Sequence, residues 1–261
     1  MKTLLPAILA FALAPLRVLV VLVAAIVGVG HARAATPTVA ELLAKIDTNM
    51  TYDTRESYIT MRVTKADRVK EYKMHSYGRG QDEAAIEYLA PSRDEGTKML
   101  KSKDELWMWL PSVEKTQKIS GHMLRQGLMG SDMSYEDMMD AAKWQTMYSG
   151  VVSGEDSVDG RKCWKVELTA TSADVSYPKR TIWVDESAYI PVKQELYALS
   201  GTLLKTWTMS DIRTVGNRQF PFKMTVVDEV QTGSMTELIF DSVTFAIPLQ
   251  DEVFSTRWLE R

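Results

Sequence analysis

Short segments in which apolar and polar residues alternate recur along most of this chain, and they constrain its fold more than any other feature. From Lys162 to Ala170, for example, Trp164, Val166 and Leu168 alternate with polar neighbours. A period of two places successive side chains on opposite faces of a β-strand. Turn residues separate the segments at regular intervals, which is typical of antiparallel sheets and barrels. The predicted strands lie at residues 58–65, 69–77, 83–89, 97–101, 106–110, 115–119, 144–152, 162–170, 180–185, 190–199, 203–213, 220–230 and 235–245.

An amphipathic helix is predicted ahead of the strands, so the chain is expected to be mainly β with a few helices. Thr38 and Glu41 have the spacing of a capping box, in which each side chain bonds the backbone N–H of the other residue. The apolar stripe that follows consists of Val39, Leu42, Leu43, Ile46 and Met50. We expect about three helical turns, ending in the polar stretch 48–54 and packing on a sheet face.

The strand at 106–110 is apolar on both faces. Leu106, Met108 and Leu110 alternate with Trp107 and Trp109, so each face must meet an apolar partner, either protein or ligand. Pro111 ends this strand, because proline has no backbone N–H to donate. From the residues alone, a closed sandwich with two packed faces and a sheet with one cavity-lining face are equally compatible with the pattern.

A long segment at 121–132 shows neither strand nor helix periodicity. It is too apolar for a disordered region, so we predict a flexible flap that covers an apolar surface. The apolar residues in and just after it are Met123, Leu124, Leu128, Met129 and Met133. Ser134 and Asp137 then have capping-box spacing, and a short helix is predicted from Tyr135 to Ala142.

Two stretches around this flap resemble a family signature. WLPSVEKTQKISG joins an aromatic-Leu-Pro strand end to a basic strand, and GLMGSDMSYEDMM holds a Gly-Ser-Asp-x-Ser-Tyr-x-Asp turn into a helix. In both stretches the chain is similar to the outer-membrane lipoprotein-sorting proteins, the LolA-like periplasmic carriers. The resemblance implies a half-open antiparallel β-barrel, closed by helices over a hydrophobic cavity that holds an acyl chain. The residues that carry it are Trp109, Leu110, Pro111, Lys115, Lys118, Gly130, Ser131, Asp132, Ser134, Tyr135 and Asp137.

The pattern and the resemblance together give candidate site residues. Those expected to contact an acyl chain are Trp107, Trp109, Met123, Leu124, Leu128 and Met129. Those expected to shape the flap and cap its helix are Pro111, Gly130, Ser131, Asp132, Ser134, Tyr135 and Asp137. Nearby lysines form either a solvated sheet edge or a rim for anionic headgroups, and they are Lys98, Lys101, Lys103, Lys115 and Lys118.

Residues 1–34 are predicted to be a targeting segment. Lys2 and Arg17 flank apolar runs, and Ala32-Arg33-Ala34 is a small-residue cleavage site. We expect cleavage near Ala34 and one periplasmic domain at residues 35–261; a retained anchor and a start downstream of Met1 are the alternatives. The segment holds three of the 31 basic residues and none of the 34 acids, so the remainder has a net charge of −6, which argues against nucleic-acid binding.

No residue pattern indicates catalysis, a metal or a cofactor. Outside the targeting segment the histidines are His75 and His122, and there is no G-x-S-x-G motif. The acids around Asp132 lack the period of a calcium loop and are interpreted as helix caps. The methionines beside His122 favour an adaptable apolar surface over a copper site. Cys163, the one cysteine, is predicted to be a small buried apolar residue.

Two functions fit this pattern. The first is a monomeric, non-enzymatic periplasmic carrier that binds acyl chains of lipids or lipoproteins and moves them toward the outer membrane. Its expected partners are an inner-membrane exporter and an outer-membrane acceptor. The second is a periplasmic adaptor of a membrane exporter without lipid cargo, in which the flap binds protein and side chains fill the cavity.

Overall fold

The computed structural model describes residues 36–140 and 143–261. The predicted targeting segment and Ala142, the predicted end of the short helix, lie outside these ranges. No helix within them combines the length and the apolar character needed to span a bilayer. The α-helices in these ranges are α1 Val39–Met50, α2 Tyr135–Met139, α3 Trp144–Met147 and α4 Thr256–Leu259.

Thirteen strands of the described chain form one antiparallel sheet, so the predicted mainly-β class is confirmed. Their bounds are β1 Arg55–Lys65, β2 Arg68–Arg79, β3 Glu83–Ala90, β4 Lys98–Ser102, β5 Glu105–Leu110, β6 Lys115–Ile119, β7 Tyr148–Val158, β8 Arg161–Ala170, β9 Lys179–Asp185, β10 Pro191–Tyr197, β11 Leu203–Val215, β12 Arg218–Asp228 and β13 Ser234–Phe245. The order across the sheet is β6-β5-β4-β3-β2-β1-β13-β12-β11-β10-β9-β8-β7.

The pairing of the first strand with the last joins two meanders into this sheet. β1 pairs with β13 from Arg55–Phe245 to Lys65–Ser234, while β6 and β7 are its two edges. The sheet is therefore open. Its predicted closure by helices over a hydrophobic cavity stays a prediction.

One row of paired residues identifies the face of the sheet that carries most of the core. Directly paired residues of antiparallel strands point to the same side. The row runs through Val63, Thr236, Val226, Trp207, Gln194, Ile182 and Val166 on consecutive paired strands. We call this side the inner face and the opposite side the outer face.

Helix α1 covers one part of the inner face. Thr38 caps it in a capping box with Glu41, as predicted, and Leu42 and Ile46 are fully buried. They pack with apolar residues of β8 and β9, which are Trp164, Val166, Leu168, Ile182 and Val184. At full burial each such side chain contributes about 1.5–3 kcal/mol, so the stripe of α1 fixes it to this end of the sheet.

The C-terminal segment, residues 249–261, covers part of the outer face. Phe254 and Leu259 pack on Ala85 and Leu100, and Val253 and Trp258 join the same cluster. Lys98 of β4 binds this segment to the sheet, since its Nζ donates to the backbone oxygens of Trp258 (3.3 Å) and Arg261 (2.7 Å).

The strand predicted at 144–152 is wrong at its beginning. Residues 144–147 are helix α3, and the strand runs from Tyr148 to Val158, six residues beyond its predicted end. The cause is a distant side chain. Buried Asp47 on α1 accepts from the backbone N–H groups of Trp144 (3.1 Å) and Gln145 (2.8 Å), and so supplies the N-terminal bonds of α3.

Candidate functional site

The predicted flap at 121–132 lies over the inner face, and from here on the name covers the whole connection between β6 and α2, residues 120–134. Leu128 is 1% exposed, and it packs in one cluster with buried residues of β1–β6, β12 and β13. The other flap residues that pack against this cluster are Met123, Leu124, Met129 and Met133. The flap therefore covers an apolar surface, as predicted, and the side chains of the flap pack directly on that surface.

Methionine dominates this contact. The members of the cluster and the residues packed against it include Met61, Met74, Met99, Met108, Met123, Met129, Met133, Met138, Met139 and Met224. A methionine side chain is unbranched and polarisable, so it repacks around partners of varied shape at low cost. The surface beneath the flap is thus suited to exchange one apolar occupant for another.

The flap is a pair of short 3₁₀ turns closed by backbone bonds. The N–H of Leu128 donates to Met133 O (2.7 Å), which brings the chain at Gly127 back against Ser131. A Cβ at Gly127 would lie 2.2 Å from Ser131 O, so only glycine fits there. Gly130 follows at φ +78°, a conformation that glycine adopts without steric cost.

Asp132 anchors the flap where β1 meets β13. Its side chain is fully buried and forms an ion pair with Lys65 Nζ at 2.6 Å. The hydroxyls of Ser234 and Thr236 donate to the same carboxylate, and the backbone N–H of Asp132 donates to Thr236 Oγ1 (2.9 Å). Hydrogen bonds to a charged group contribute about 1.5–3 kcal/mol, so this carboxylate is a strong fastening rather than a helix cap.

Asp137 both caps α2 and ties it to the sheet. Ser134 and Asp137 form the predicted capping box, with Ser134 N donating to Asp137 Oδ2 at 2.8 Å. The same oxygen accepts from Lys205 Nζ of β11 at 2.8 Å. Burial and the adjacent Asp137 carboxylate raise the pKa of Tyr177 far above its usual value. Ser131 and Tyr135 are buried in the flap and α2, so the predicted shaping residues all lie at this junction except Pro111, which follows β5.

Trp107 and Trp109 lie on the opposite face from the flap. Leu106 and Met108 point inward into the flap cluster, whereas the two tryptophans pack beneath the C-terminal segment. Lys118 Nζ stands 5.3 Å from the centre of the Trp107 ring. The structure therefore brings together four of the six residues expected to contact an acyl chain, which are Met123, Leu124, Leu128 and Met129, and separates the two tryptophans from them.

The predicted lysine group also divides. Lys115 and Lys118 are exposed on the edge strand β6, as a solvated edge requires. Lys98 and Lys101 are buried instead, and the Nζ of Lys101 donates to the carbonyls of Gln81 (2.8 Å) and Met139 (3.1 Å). Burial lowers the pKa of Lys101.

Sequence reasoning missed a polar cluster on the inner face beside α2. It contains Tyr148, Tyr177, Arg180, Gln194 and Lys205. The signal was present in β9, where Arg180 alternates in phase with Ile182 and Val184 and so takes a position on the buried side. An arginine in phase with a core stripe needs buried partners.

A separate cleft of about 460 Å³ lies at the C-terminal end of α1. The residues that line it are mostly of polar types and include Asp47, Gln81, Lys143, Gln145 and Arg218. It contains no flap residue, so it is distinct from the apolar surface described above.

The model of a protein family described as "Uncharacterized protein" matches residues 80–261. No curated protein matches the chain. Among solved structures, a DUF1329 family protein from Desulfovibrio piger is 23% identical with a TM-score of 0.79, and the match covers 84% of this chain and 97% of that one.

Two further structures carry names that agree with the resemblance noted in the sequence. A domain assigned to the outer membrane lipoprotein-sorting proteins of Vibrio parahaemolyticus is 22% identical with a TM-score of 0.75, covering 85% of this chain and all of that one. A LolA superfamily protein from Nitrosomonas europaea is 23% identical with a TM-score of 0.71, at 85% and 100% coverage. The chain belongs to the matched family, and its fold is that of the LolA-like outer-membrane lipoprotein-sorting proteins.

Proposed function

We propose that the protein is a monomeric periplasmic carrier, not an enzyme, that binds acyl chains of lipids or lipoproteins and moves them toward the outer membrane. One observation carries the proposal. The flap covers the apolar inner face with its own Leu and Met side chains, and its polar bonds to the sheet are concentrated at one residue, Asp132. A cover of this kind separates from the surface beneath it as a unit.

An acyl chain is a suitable replacement for the flap. Each methylene that leaves water gains about 0.8 kcal/mol, so a long chain gains enough to compete with the flap side chains. The observed affinity is then the affinity of the open form multiplied by the fraction of molecules in which the flap is open. The neighbours named as lipoprotein-sorting and LolA superfamily proteins support the carrier over other roles for this fold.

The direct test is native mass spectrometry with solvent extraction on the protein expressed from the full sequence and purified without detergent. We expect a near-stoichiometric phospholipid or acylated peptide. A lipid-free protein that also takes up no fluorescent fatty-acid probe would overturn the proposal.

Trypsin cleavage reports whether the flap is the part displaced. Arg125 is exposed in the flap, and Arg257 in the C-terminal segment provides an internal control. We expect added probe to accelerate cleavage after Arg125 and to leave cleavage after Arg257 unchanged. Probe binding with no change at Arg125 would place the acyl chain elsewhere on the molecule.

The adaptor remains the second candidate, because an inner face already filled by side chains is what an adaptor without cargo requires. Changing both Leu128 and Met129 to Asp separates the two functions, with Val113→Asp, at a residue 55% exposed, as the control. Loss of probe uptake with exporter binding intact supports the carrier. Loss of exporter binding with uptake intact supports the adaptor.

A further inference from the structure

Two basic side chains lie on the inner face beside α2. Arg180, Leu196 and Lys205 are paired in one row across β9, β10 and β11, so their side chains share a face of the sheet. Arg180 is 8% exposed, and the side chain of Lys205 is 16% exposed. Two cations this deeply placed need compensating charge.

All the close hydrogen-bond partners of Arg180 are neutral groups. Its Nε donates to the Tyr148 hydroxyl (3.1 Å) and its Nη1 to the Gln194 side-chain oxygen (3.2 Å). Its guanidinium lies 4.7 Å from the ring centre of Trp144, 4.8 Å from Tyr148 and 5.6 Å from Tyr177. Among the described residues, no carboxylate comes within ion-pair distance of it. The site is therefore cationic and ringed by aromatic groups.

Two acids that face this site belong to α2 and its C-terminal end, and a third belongs to the sheet. Lys205 pairs with Asp137 of α2, and Asp140, at the end of the same helix, interacts electrostatically with Arg180. Asp228 is paired with Lys205 across β12, but its carboxylate accepts from the backbone N–H groups of Val230 and Gln231. Lifting the flap with α2 thus removes the carboxylate that is paired with Lys205 and the one that interacts with Arg180, while Asp228 stays in the sheet.

We infer that the ligand is an amphiphile with an anionic headgroup, a carboxylate or a phosphate, that takes the place of the α2 carboxylates, Asp137 at Lys205 and Asp140 facing Arg180. Its acyl chain lies on the apolar surface that Tyr135 and Met139 of α2 now cover. The same short helix contacts both surfaces, so the charged and apolar sites are adjacent. This inference rests on the proposed carrier function and specifies its cargo.

A matched pair of probes tests it on the wild-type protein. cis-Parinaric acid and its methyl ester share one fluorescent chain and differ in charge at a pH of about 8, well above the carboxyl pKa. We expect the acid to bind at least about tenfold more tightly, because it gains charge-assisted hydrogen bonds. Equal affinities would overturn the headgroup inference and leave the carrier standing. Binding of neither probe would overturn the carrier itself.

Lys205→Met locates the preference. We expect it to reduce the acid-to-ester affinity ratio by at least about threefold, because one of the two cations is lost. Lys223→Met is the control, since Lys223 lies on the neighbouring strand β12 and pairs with Glu237 instead. An equal loss for both probes would overturn a headgroup role for Lys205. The wild-type ratio remains decisive if the variant folds poorly.

Phosphatidic acid and diacylglycerol with identical chains, compared by native mass spectrometry, identify the anion. Preference for phosphatidic acid assigns a phosphate headgroup. A preference found only with the fatty-acid pair assigns a carboxylate. No preference in either pair overturns the inference.

Discussion

Gly127 is the residue at which the flap tolerates least change. The turn brings Ser131 O to 2.2 Å from the position of a Cβ, and backbone cannot retreat as a side chain can. The shape of the flap therefore depends on the absence of a side chain at Gly127 as well as on the contacts that the flap makes.

Gly127→Ala should lower the free energy of unfolding by about 1–3 kcal/mol, because the new methyl group forces the flap turn open. Gly154→Ala is the control, since nothing lies within 4 Å of a Cβ there. Urea denaturation of both variants measures the difference. Equal stability of the two would show that the flap turn relaxes freely.

The face taken by an individual residue was the hardest property to predict. Trp107 and Trp109 alternate with Leu106 and Met108, and all four are apolar, so the local pattern cannot tell which pair meets the flap. The C-terminal segment, more than a hundred residues later in the chain, decides it. The approximate place of the flap side chains was predictable because a loop with this many apolar residues and no strand or helix period must pack on an apolar surface.

The flap as an element depends on its anchor at the junction of β1 and β13. Lys65 lies at the end of β1, and Ser234 and Thr236 lie at the start of β13. The Asp132 carboxylate therefore binds both strands at once and can do so only when they are paired. The bonds to Asp132 lie at one point of the sheet, but the flap that they hold packs on several strands.

Asp132→Asn should lower the free energy of unfolding by about 1.5–3 kcal/mol, because the ion pair to Lys65 loses its charge. It should also speed trypsin cleavage at Arg125 in the absence of any lipid. Asp104→Asn breaks an exposed ion pair with Lys143 and serves as the control, with little change expected in either assay. Slow cleavage at Arg125 in the Asp132 variant would mean that apolar packing alone holds the flap.

Most elements were predictable because each carries its own period. The helix at α1 and the strands from β1 to β6 and from β8 to β13 match the alternation within a few residues. α3 was not predictable, because Trp, Thr and Met favour strand or helix only weakly and Asp47, about a hundred positions earlier, decides the outcome. Long-range caps of this kind leave no local signature.

The whole sheet has two edges, and the chain protects them differently. β6 presents Lys115 and Lys118 to solvent, while β7 is interrupted by a register shift between Val152 and Gly154. Charged side chains and bulges both discourage pairing between molecules. The monomer that we propose depends on this protection of both edges.

Replacing both Lys115 and Lys118 with Val should cause concentration-dependent self-association, visible by sedimentation velocity, because the edge then resembles an unpaired apolar strand. Lys70→Val with Lys162→Val is the matched control, since both lysines are exposed on interior strands. A double β6 variant that sediments like the control would assign edge protection to another feature.

The pairing of β1 with β13 also sets an order of assembly. Each meander can pair its own neighbouring strands early, but the central seam must wait for residues 234–245, near the end of the chain. Until then β1 and β12 are open edges, and pairing of such distant segments is slow. Because the partners of Asp132 are Lys65 of β1 and Ser234 and Thr236 of β13, the anchor of the flap is complete only when that seam has closed. The part of the inner face beneath the flap thus receives its anchored cover only after the final strand of the sheet has been made.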